Sequence, residues 1–519
     1  MVPGPPLTLV EPPAHLTLVA HGSQDPRTAE KPCSPSTPGS GESVRIQELS
    51  CAAERTLEAL PQPIAGLKVI QALEEAGHSA WIVGGWVRDG LLGRPGHDVD
   101  VASSAPWQEA ATILKARGMS VIPTGAAHGT VTALVDGTPV EVTTYRTEGA
   151  YLDGRHPSKV AFVSSIEQDL ARRDFTINAM AYHPQRGLLD LYGGLQDLAQ
   201  GRIRAVGDPQ RRMEEDALRV LRAVRFAARY GFAIDPATQV AINQGSQRLY
   251  LVSRERIGQE MRGIVTSGRA GWALREQKDA LFSAIPELGP MAGFPQKTPY
   301  HSFDVLNHVA RVCDYTTVFC GGVLSERLAW AALLHDIAKP ECLTFDVRGQ
   351  AHFYGHPAHG RDIARAVLRR LAIPKDVMTP ALALIRLHDR PVKPQAASVL
   401  SILSDLEHYA PGQALWLIHE LMVIKRADAM AKAPAYRDYA IEVDGLESLA
   451  NRLLAAGAPY RISDLPISGE DIIRELSLAP GPAVGLLLQR LLKEVQGGSL
   501  PAEKHALLAR LHSLNAGEQ

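Results

Sequence analysis

The pattern that most restricts the fold of this chain is a glycine turn between two short strands. Residues 80–83 (Ala-Trp-Ile-Val) form an apolar run that ends at a Gly-Gly pair, and residues 97–101 (His-Asp-Val-Asp-Val) alternate acidic and apolar side chains. Because successive side chains of a strand point to opposite faces, Asp98 and Asp100 are predicted to share one face. With the helical segment between them, these runs predict a small α/β unit.

The two aspartates predict a cation site. Carboxylates that lie side by side repel each other unless a cation lies between them, and hard oxygen ligands of this kind suit Mg²⁺. Gly84 and Gly85 would let the backbone approach a triphosphate, with N–H groups of the following helix as donors. Asp-x-Asp alone is more typical of a solvated strand, and Gly-Gly alone is equally weak. Their succession is far more specific, so we interpret Asp98 and Asp100 as Mg²⁺ ligands.

The length and the residue patterns predict several domains. The 519 residues are enough for about three or four domains, and long helical patterns replace the α/β pattern after about residue 207. We expect an α+β multidomain fold, with a mixed sheet in an α/β head and helices in the rest. The expected segments are a disordered tail rich in Pro, Gly and Ser (1–43), the head (44–206), a helical neck and body (207–298), a second helical domain (299–433) and a helical C-terminal segment (434–519).

Local periodicity predicts the elements around these motifs. Single helices are expected over residues 54–76, 107–117 and 213–230, where apolar side chains recur at helical spacing. Strands are expected over residues 130–135 and 139–145, where apolar side chains alternate with polar ones.

Charge and cysteine content exclude other classes of protein. The chain has 54 Lys and Arg against 56 Asp and Glu, so its net charge of -2 gives no sign of a nucleic-acid partner. Its five cysteines include no Cys-x-x-Cys pair, which argues against a disulfide framework or a thiolate zinc site and favours the cytoplasm. No apolar stretch approaches the ~18 residues that span a bilayer, so no membrane association is expected.

Further motifs follow the aspartates in order. They are Arg172-Arg173-Asp174-Phe175-Thr176-Ile177-Asn178, then Asp190-Leu-Tyr-Gly-Gly194, then Glu215-Asp216-x-x-Arg219-x-x-Arg222. Together with the segment that begins at Gly84, this series resembles class II CCA-adding tRNA nucleotidyltransferases and bacterial poly(A) polymerases over about residues 80–235. The resemblance implies that Asp98 and Asp100 hold two Mg²⁺ ions for nucleotidyl transfer. It also implies template-independent addition of CMP and AMP from CTP and ATP to the 3′ end of tRNA.

The same resemblance assigns the nucleotide-binding residues. They are Gly84, Gly85, Arg88, Arg173, Asp174, Asn178, Asp216, Arg219 and Arg222. Asp216 and Arg219 would read the base by hydrogen bonds, and Arg173 and Arg222 would contact phosphate or ribose. On the helical pattern alone, a salt-bridged solvent face would explain Glu215, Arg219 and Arg222 equally well.

Two other features remain open from the sequence. Glu141 could supply a third acidic group beside the aspartates or be an ordinary surface residue. Residues 146–157 resemble the loop that the family needs for the change from CMP to AMP addition, with Asp153 and Arg155 as its marker residues. His156 stands where the family usually has a second Arg, which weakens this inference.

A local basic zone lies hidden in the balanced net charge. Its residues are Arg202, Arg204, Arg211, Arg212, Arg219, Arg222, Arg225, Arg229, Arg254, Arg256, Arg262 and Arg269. Such a patch favours salt-sensitive binding to the phosphates of an RNA that is recognised chiefly by shape, as tRNA is. Some of these arginines are expected to pair with Glu214, Glu215 and Asp216 instead.

A second group of candidate residues lies in the helical part. The apolar helix before His335-Asp336 would bury charge unless a metal compensates it. The series His308, His335-Asp336, His356, His388 and Asp428 resembles the HD phosphohydrolase domain. The resemblance implies one divalent metal on His308, His335, Asp336 and Asp428, with His356 and His388 assisting phosphate binding or a second metal. Mixed nitrogen and oxygen ligands admit Mn²⁺, Ni²⁺, Co²⁺ or Mg²⁺.

Three rival functions fit the same motifs. The chain could add only A beside a separate CC-adding enzyme, or it could be a poly(A) polymerase. We favour tRNA over generic RNA because no long Lys/Arg-rich C-terminal extension follows the last helical pattern. A rival of another class is an HD phosphohydrolase whose head merely binds RNA, and the intact Asp98 and Asp100 argue against it. The oligomeric state does not follow from the sequence.

Overall fold

The computed structural model describes residues 41–60, 62–94, 98–148 and 160–517, and these form two compact units. The first unit comprises the described residues up to Arg212, together with Ala233–Asp235. The second comprises Met213–Phe232 and the described residues from Pro236 onward.

Thirteen strands are present in the described residues. They are β1 (Ala80–Val83), β2 (Val99–Ser103), β3 (Ser120–Gly125), β4 (Thr130–Val135), β5 (Thr138–Thr144), β6 (Arg146–Glu148), β7 (Val160–Phe162), β8 (Met180–His183), β9 (Gly187–Asp190), β10 (Arg202–Ile203), β11 (Ala233–Ile234), β12 (Thr344–Phe345) and β13 (Ala351–His352).

Twenty-two α-helices accompany them in the described residues. They are α1 (Gly41–Ala59), α2 (Ile64–Glu75), α3 (Gly85–Leu91), α4 (Trp107–Ala116), α5 (Ile166–Ala171), α6 (Gly194–Ala199), α7 (Pro209–Glu215), α8 (Leu218–Tyr230), α9 (Pro236–Gly245), α10 (Arg254–Val265), α11 (Ala270–Glu276), α12 (Lys278–Ala284), α13 (Val305–Phe319), α14 (Glu326–Leu334), α15 (His356–Arg370), α16 (Lys375–Leu387), α17 (Ala396–Tyr409), α18 (Ala414–Ala431), α19 (Tyr439–Ala455), α20 (Gly469–Leu476), α21 (Pro482–Gln496) and α22 (Lys504–Gly517).

The first unit is built on a seven-stranded mixed sheet. Its strand order is β3-β4-β5-β2-β1-β8-β9, and β2 pairs with β5 in parallel while the other pairs are antiparallel. Helices α2 and α4 pack against β5 and neighbouring strands. Residues of β1, β2 and β8 meet Tyr145 and Leu170 in a buried apolar cluster. The expected α+β fold with a mixed sheet in the head is confirmed.

Two helices that the sequence predicted as continuous are broken. The helix expected over 54–76 ends at Ala59 and starts again at Ile64, because Pro63 has no N–H and disfavours helical geometry at the residue before it. The helix expected over 213–230 is interrupted at Asp216, whose Oδ1 accepts a hydrogen bond from the Leu218 backbone N–H at 3.0 Å. That side-chain acceptor opens a new helix at Leu218.

The predicted tail is only partly covered by the structure. Residues 41–43, which were expected to be disordered, belong to α1. Residues 1–40 lie outside the described residues. Strand β2 begins at Val99 rather than at residue 97, which lies outside the described residues.

The second unit is almost entirely helical. Helix α14 is its most enclosed element, since Leu328–Leu334 are all buried, and it packs against α13, α16 and α18. At the C-terminal end, α20, α21 and α22 share an apolar core that includes Ile472, Leu491 and Leu511. None of the described helices is long and apolar enough to cross a membrane.

Candidate active sites

Asp100 lies at the centre of an acidic cluster on the sheet. The register places it beside Val83 of β1 and beside Glu141 of the parallel neighbour β5. Burial and the charges of Glu141 and Asp98 raise the pKa of Asp100 to about 6, against the opposing charge of Arg173. Asp98 itself is exposed just before the strand. This excess of hard oxygen ligands fits a divalent cation such as Mg²⁺.

Gly84 allows a close approach of the backbone to this cluster. Its φ is +72°, and a Cβ atom built there would lie 3.4 Å from Asp100 Oδ2 and 3.5 Å from Arg173 Nη1. A side chain at this position would be strained and would narrow the space beside the carboxylate. Gly85 begins α3, so the glycine pair leads directly from β1 into the helix that carries Arg88.

Arg88, Asp174 and Asn178 form a buried hydrogen-bonded chain. Arg88 Nη1 donates to Asn178 Oδ1 at 2.5 Å, and Asn178 Nδ2 donates to Asp174 Oδ1 at 3.0 Å. Asp174 Oδ1 also accepts from the Phe175 backbone N–H at 2.8 Å. These contacts fix the three side chains among themselves, which favours a role in shaping the nucleotide site.

Arg173 is held by a carboxylate that the sequence patterns did not single out. Its Nη2 lies 3.1 Å from Oδ2 of Asp169, and Arg172 Nη2 lies 2.7 Å from Oδ1 of the same side chain. Burial would raise the pKa of Asp169, but the charges of Arg173 and Arg172 outweigh it and lower the pKa. Arg173 Nε is buried and has no hydrogen-bond partner among the described residues.

In the second unit, the motif of Asp216 and Arg219 is buried. Asp216 and Arg219 are 8% and 6% exposed. Arg219 Nη1 donates to Glu215 Oε2 at 2.9 Å, and Arg256 Nη2 on α10 donates to Asp216 Oδ2 at 2.7 Å. The alternative of a salt-bridged solvent face is therefore wrong for these residues, because a solvent face would leave them exposed.

Arg222, the third arginine of this motif, is a third exposed and lies near a different carboxylate. Its Nη1 is 3.7 Å from Glu260 Oε1 on α10, and Arg225 binds the other oxygen of Glu260. Asp153 and Arg155, the marker residues of the A-addition loop, lie outside the described residues.

All six metal-ligand candidates of the helical part come together. Ligand atoms of His308, His335, Asp336 and Asp428 lie within 4.8 Å of one another. A second group with the same spacing consists of Asp336, His356 and His388.

Asp336 is the residue that the two groups share. Its Oδ2 lies 3.1 Å from His335 Nε2, and its Oδ1 lies 3.3 Å from His356 Nε2 and 3.5 Å from His388 Nε2. One carboxylate thus faces histidine nitrogens on both of its oxygens. This arrangement can place one divalent ion on each side of Asp336.

The histidine rings are oriented for ligation. Nδ1 of His335, His356 and His388 lies within 2.8–2.9 Å of the backbone carbonyl three residues earlier, at Ala332, Phe353 and Ile385. A proton on Nδ1 satisfies that carbonyl and leaves the Nε2 lone pair toward Asp336. Among the described residues, His335 Nε2 and both oxygens of Asp336 have close charged neighbours but no well-directed hydrogen bond, so their lone pairs fit a bound metal.

Charges around the cluster keep the carboxylates ionised. Burial opposes ionisation of both Asp336 and Asp428. His335 and Lys339 nevertheless hold the pKa of Asp336 well below the ordinary range. Lys432 and His308 do the same for the pKa of Asp428. Lys339 Nζ lies 2.7 Å from Asp336 Oδ2. Lys432 Nζ lies 2.7 Å from Asp428 Oδ2. Burial lowers the pKa of His308 and of His388, which favours the neutral ligand form.

Comparison with known proteins gives the family. Residues 80–204 match the Poly A polymerase head domain, residues 231–288 match the Probable RNA and SrmB- binding site of polymerase A, and residues 299–433 match the HD domain. The CCA-adding enzyme of Leuconostoc mesenteroides is 31% identical over 450 residues, which cover 86% of this chain and 96% of that protein. The chain belongs to the CCA-adding enzyme family.

Other relatives and solved structures agree with this family. The CCA-adding enzyme of Lacticaseibacillus paracasei is 48% identical over 202 residues, which span 39% of this chain but only half of that relative. The crystal structure of the Bacillus stearothermophilus CCA-adding enzyme in complex with CTP is 28% identical, covers 88% of this chain and 99% of that chain, and has a TM-score of 0.65. A Thermotoga maritima CCA-adding enzyme complexed with tRNA, at 21% identity and a TM-score of 0.57, shows the shared fold.

Membership of the CCA-adding enzyme family makes this chain a nucleotidyltransferase, as its motifs implied. It overturns the rival in which the head only binds RNA. Arg256 of the basic zone binds Asp216, as expected of some of its arginines. Sequence reasoning missed Asp169, although Arg172 and Arg173 follow it at helical spacing. It also missed Lys339 and Lys432, although each follows an aspartate of the HD cluster at helical spacing, a signal that could have found them.

Proposed function

We propose that this CCA-adding enzyme family member adds CMP and AMP from CTP and ATP to the 3′ end of tRNA. The observation that carries the proposal is the position of Asp100 between Glu141 and the Gly84 turn, with Arg173 beside it. The Leuconostoc mesenteroides relative, which this chain matches over nearly its full length, is a CCA-adding enzyme. Solved relatives are complexes with CTP, ATP and tRNA. The poly(A) polymerase alternative has no such support among these relatives.

Asp98 and Asp100 would hold Mg²⁺ in this site. Bound there, Mg²⁺ would offset the charge of the triphosphate and acidify the attacking 3′-hydroxyl. The chain's own residues do the positioning. Gly84 keeps the space beside Asp100 open, and the positive charge of Arg173, whose Nη1 borders that space, would attract a phosphate. The buried hydrogen bond from Arg88 to Asn178 would support the Gly84-Gly85 turn.

Asp216 and Arg219 are proposed to choose the base. A carboxylate accepts from the exocyclic amine that C and A carry and that U lacks, while a guanidinium donates to ring acceptors. The hydrogen bond from Arg219 to Glu215 and the one from Arg256 to Asp216 limit the orientations that Asp216 and Arg219 can adopt. Arg222 would contact phosphate or ribose, since about a third of its side chain is exposed to solvent.

For the helical part, we propose metal-dependent hydrolysis of phosphate esters. His308, His335, Asp336 and Asp428 would hold one divalent ion, and His356 and His388 a second one through the other oxygen of Asp336. The ion could be Mn²⁺, Ni²⁺, Co²⁺ or Mg²⁺, since mixed nitrogen and oxygen donors accept each. Lys339 and Lys432 would attract the phosphate to this cluster.

The domain division and the cellular location also stay proposals. The proposed segments are 44–206 for the head, 207–298 for template and RNA binding, 299–433 for the HD domain and 434–519 for tRNA binding, in the cytoplasm. Arginines such as Arg229, which is exposed on α8, would contact tRNA phosphates. Arg204 and Arg262 would not, because they bind Asp197 and Glu326 at 2.7 Å.

One experiment separates full CCA addition from A-only addition. The protein is incubated with tRNA that ends at the discriminator base, with CTP alone, ATP alone or both, and the 3′ ends are sequenced. Full activity gives CC with CTP and CCA with both nucleotides. An enzyme that adds only A gives no product on this tRNA with CTP, but extends a tRNA that already ends in CC.

A further inference from the structure

The cavity above the HD cluster has aromatic residues at its mouth. The cavity measures about 310 Å³ and includes Asp336, His356, His388 and both lysines of the cluster in its lining. Tyr354 also lines it and is 75% exposed. A large aromatic side chain that is this exposed beside a polar, cationic pocket is available to a ligand.

Stacking on a neighbouring ring restricts the orientation of the Tyr354 side chain. Its ring stacks on His352 with centroids 5.0 Å apart and an interplanar angle of 8°. His352 closes strand β13, and its Nε2 lies 3.3 Å from Oδ2 of Asp346. Asp346 in turn accepts hydrogen bonds from the backbone N–H groups of Arg348 and Gln350, which fixes the hairpin turn.

The chain connects this stacked pair directly to the metal cluster. Tyr354 precedes His356 by two residues, and His356 begins α15 with Nε2 at 3.3 Å from Asp336 Oδ1. Tyr300 also lines the cavity, and its ring meets that of Tyr436 edge-on with 4.7 Å between the centroids. The cavity thus combines a cationic, histidine-rich floor with flat rings at its rim.

We propose that Tyr354, backed by His352, stacks on the nucleobase of a phosphate ester whose phosphate lies at the Asp336 cluster. This inference rests on the proposed hydrolase function and adds the residue that selects base-bearing substrates. Exposed aromatic rings bind bases of any sequence because every base has a π-face. In the reaction, a water oxygen bonds to phosphorus, the bond from phosphorus to one ribose oxygen breaks, and that oxygen takes up a proton.

Two substrates with the same strained ring test the role of Tyr354. Adenosine 2′,3′-cyclic phosphate carries a base, and glycerol 1,2-cyclic phosphate does not. We expect Tyr354→Ala to raise KM about tenfold for the adenosine ester with kcat nearly kept, and to leave both constants unchanged for the glycerol ester. Tyr354→Trp keeps a flat ring and should restore the adenosine KM. Phe345→Ala, an exposed aromatic residue of the same hairpin outside the cavity lining, is the matched control.

Other outcomes would overturn the inference. If Tyr354→Ala lowers kcat/KM equally for both esters, Tyr354 is a structural support of the cluster. If kcat/KM falls for neither ester, the exposed ring serves another partner, such as a protein. If the wild type hydrolyses neither ester, the hydrolase proposal fails, and calorimetric titration of the full chain with adenosine 2′-monophosphate decides the stacking. There Tyr354→Ala should weaken binding about tenfold while inorganic phosphate binds as before, and equal adenosine 2′-monophosphate affinity contradicts the role.

Discussion

Arg256 on α10 holds the carboxylate of Asp216, with Nη2 at 2.7 Å from Oδ2. The other oxygen of Asp216 accepts from the Leu218 backbone N–H, so both oxygens are engaged before any nucleotide binds. The proposed base-reading carboxylate is therefore fixed in position and kept as an acceptor by a residue 40 positions later in the chain.

We expect Arg256→Gln to relax base selection without stopping nucleotide transfer. A charged hydrogen bond of this kind is worth ~1.5–3 kcal/mol, so partial loss of orientation should lower the CTP:UTP ratio of kcat/KM about tenfold. The ratio is measured on tRNA that lacks CCA. Arg254→Gln, on the same helix, is the matched control and should keep the wild-type ratio. If the Arg256→Gln enzyme is as selective as the wild type, Arg256 has no part in base selection.

Arg219→Ala should have a larger effect on the same ratio. Arg219 is buried and bound to Glu215 at 2.9 Å, so its loss removes a base donor and leaves a carboxylate without its partner. We predict a ten- to hundredfold rise in UTP use relative to CTP, from ~1.5–3 kcal/mol of lost discrimination. A surface salt bridge would be worth only ~0–1 kcal/mol. Arg229→Ala, exposed on the same helix, should leave the ratio unchanged, and an unchanged ratio in both variants would refute the role of Arg219.

The raised pKa of Asp100, about 6, predicts a pH-dependent demand for Mg²⁺. Above pH 6 Asp100 is ionised and available, whereas below pH 6 a proton competes with the cation. Activity at low Mg²⁺ concentration should fall as the pH drops through about 6 and recover when Mg²⁺ is raised. Glu141→Gln removes a charge that raises this pKa, so its transition should move to lower pH. If the pH at which activity falls does not depend on the Mg²⁺ concentration, a group other than Asp100 is responsible for the fall.

Metal content tests the shared role of Asp336. We expect purified protein loaded with Mn²⁺ to retain two ions per HD cluster, His388→Ala to retain one, and Asp336→Ala to retain none. The measurement is metal analysis by mass spectrometry after desalting. His359→Ala removes a partly exposed histidine of α15 that pairs with Glu341, and should retain both ions. CCA addition should persist in all of these variants, and two ions in Asp336→Ala would contradict the assignment.

Local patterns predicted the strands well, and the residues of the HD motif do lie close together, for a physical reason. The alternation around Asp100 reports which face of a strand is buried, and that periodicity is set by neighbours in the chain. The histidines of the HD cluster likewise lie near the start or the end of a helix. The helix breaks at Pro63 and Asp216 were missed because apolar spacing continued across them.

Contacts between distant elements could not be predicted in this way. Arg256 of α10 reaches Asp216 from another helix, and Arg262 of α10 reaches Glu326 of α14. No spacing rule connects such positions, because their meeting depends on how whole elements pack. The arginines of the basic zone show the same limit, since several bind carboxylates in the structure rather than facing solvent.

The most direct test of the proposed transfer site is nucleotide addition by Asp98→Asn and Asp100→Asn. Each change keeps the shape of the side chain but removes the charge that would hold Mg²⁺, so we predict only trace CMP addition to tRNA lacking CCA. Affinity for that tRNA, measured by fluorescence anisotropy, should stay near the wild-type value. Asp136→Asn, an exposed aspartate of the same unit, is the control and should add CMP normally. Addition well above trace level by both variants would contradict the assignment of Asp98 and Asp100 as the catalytic carboxylates.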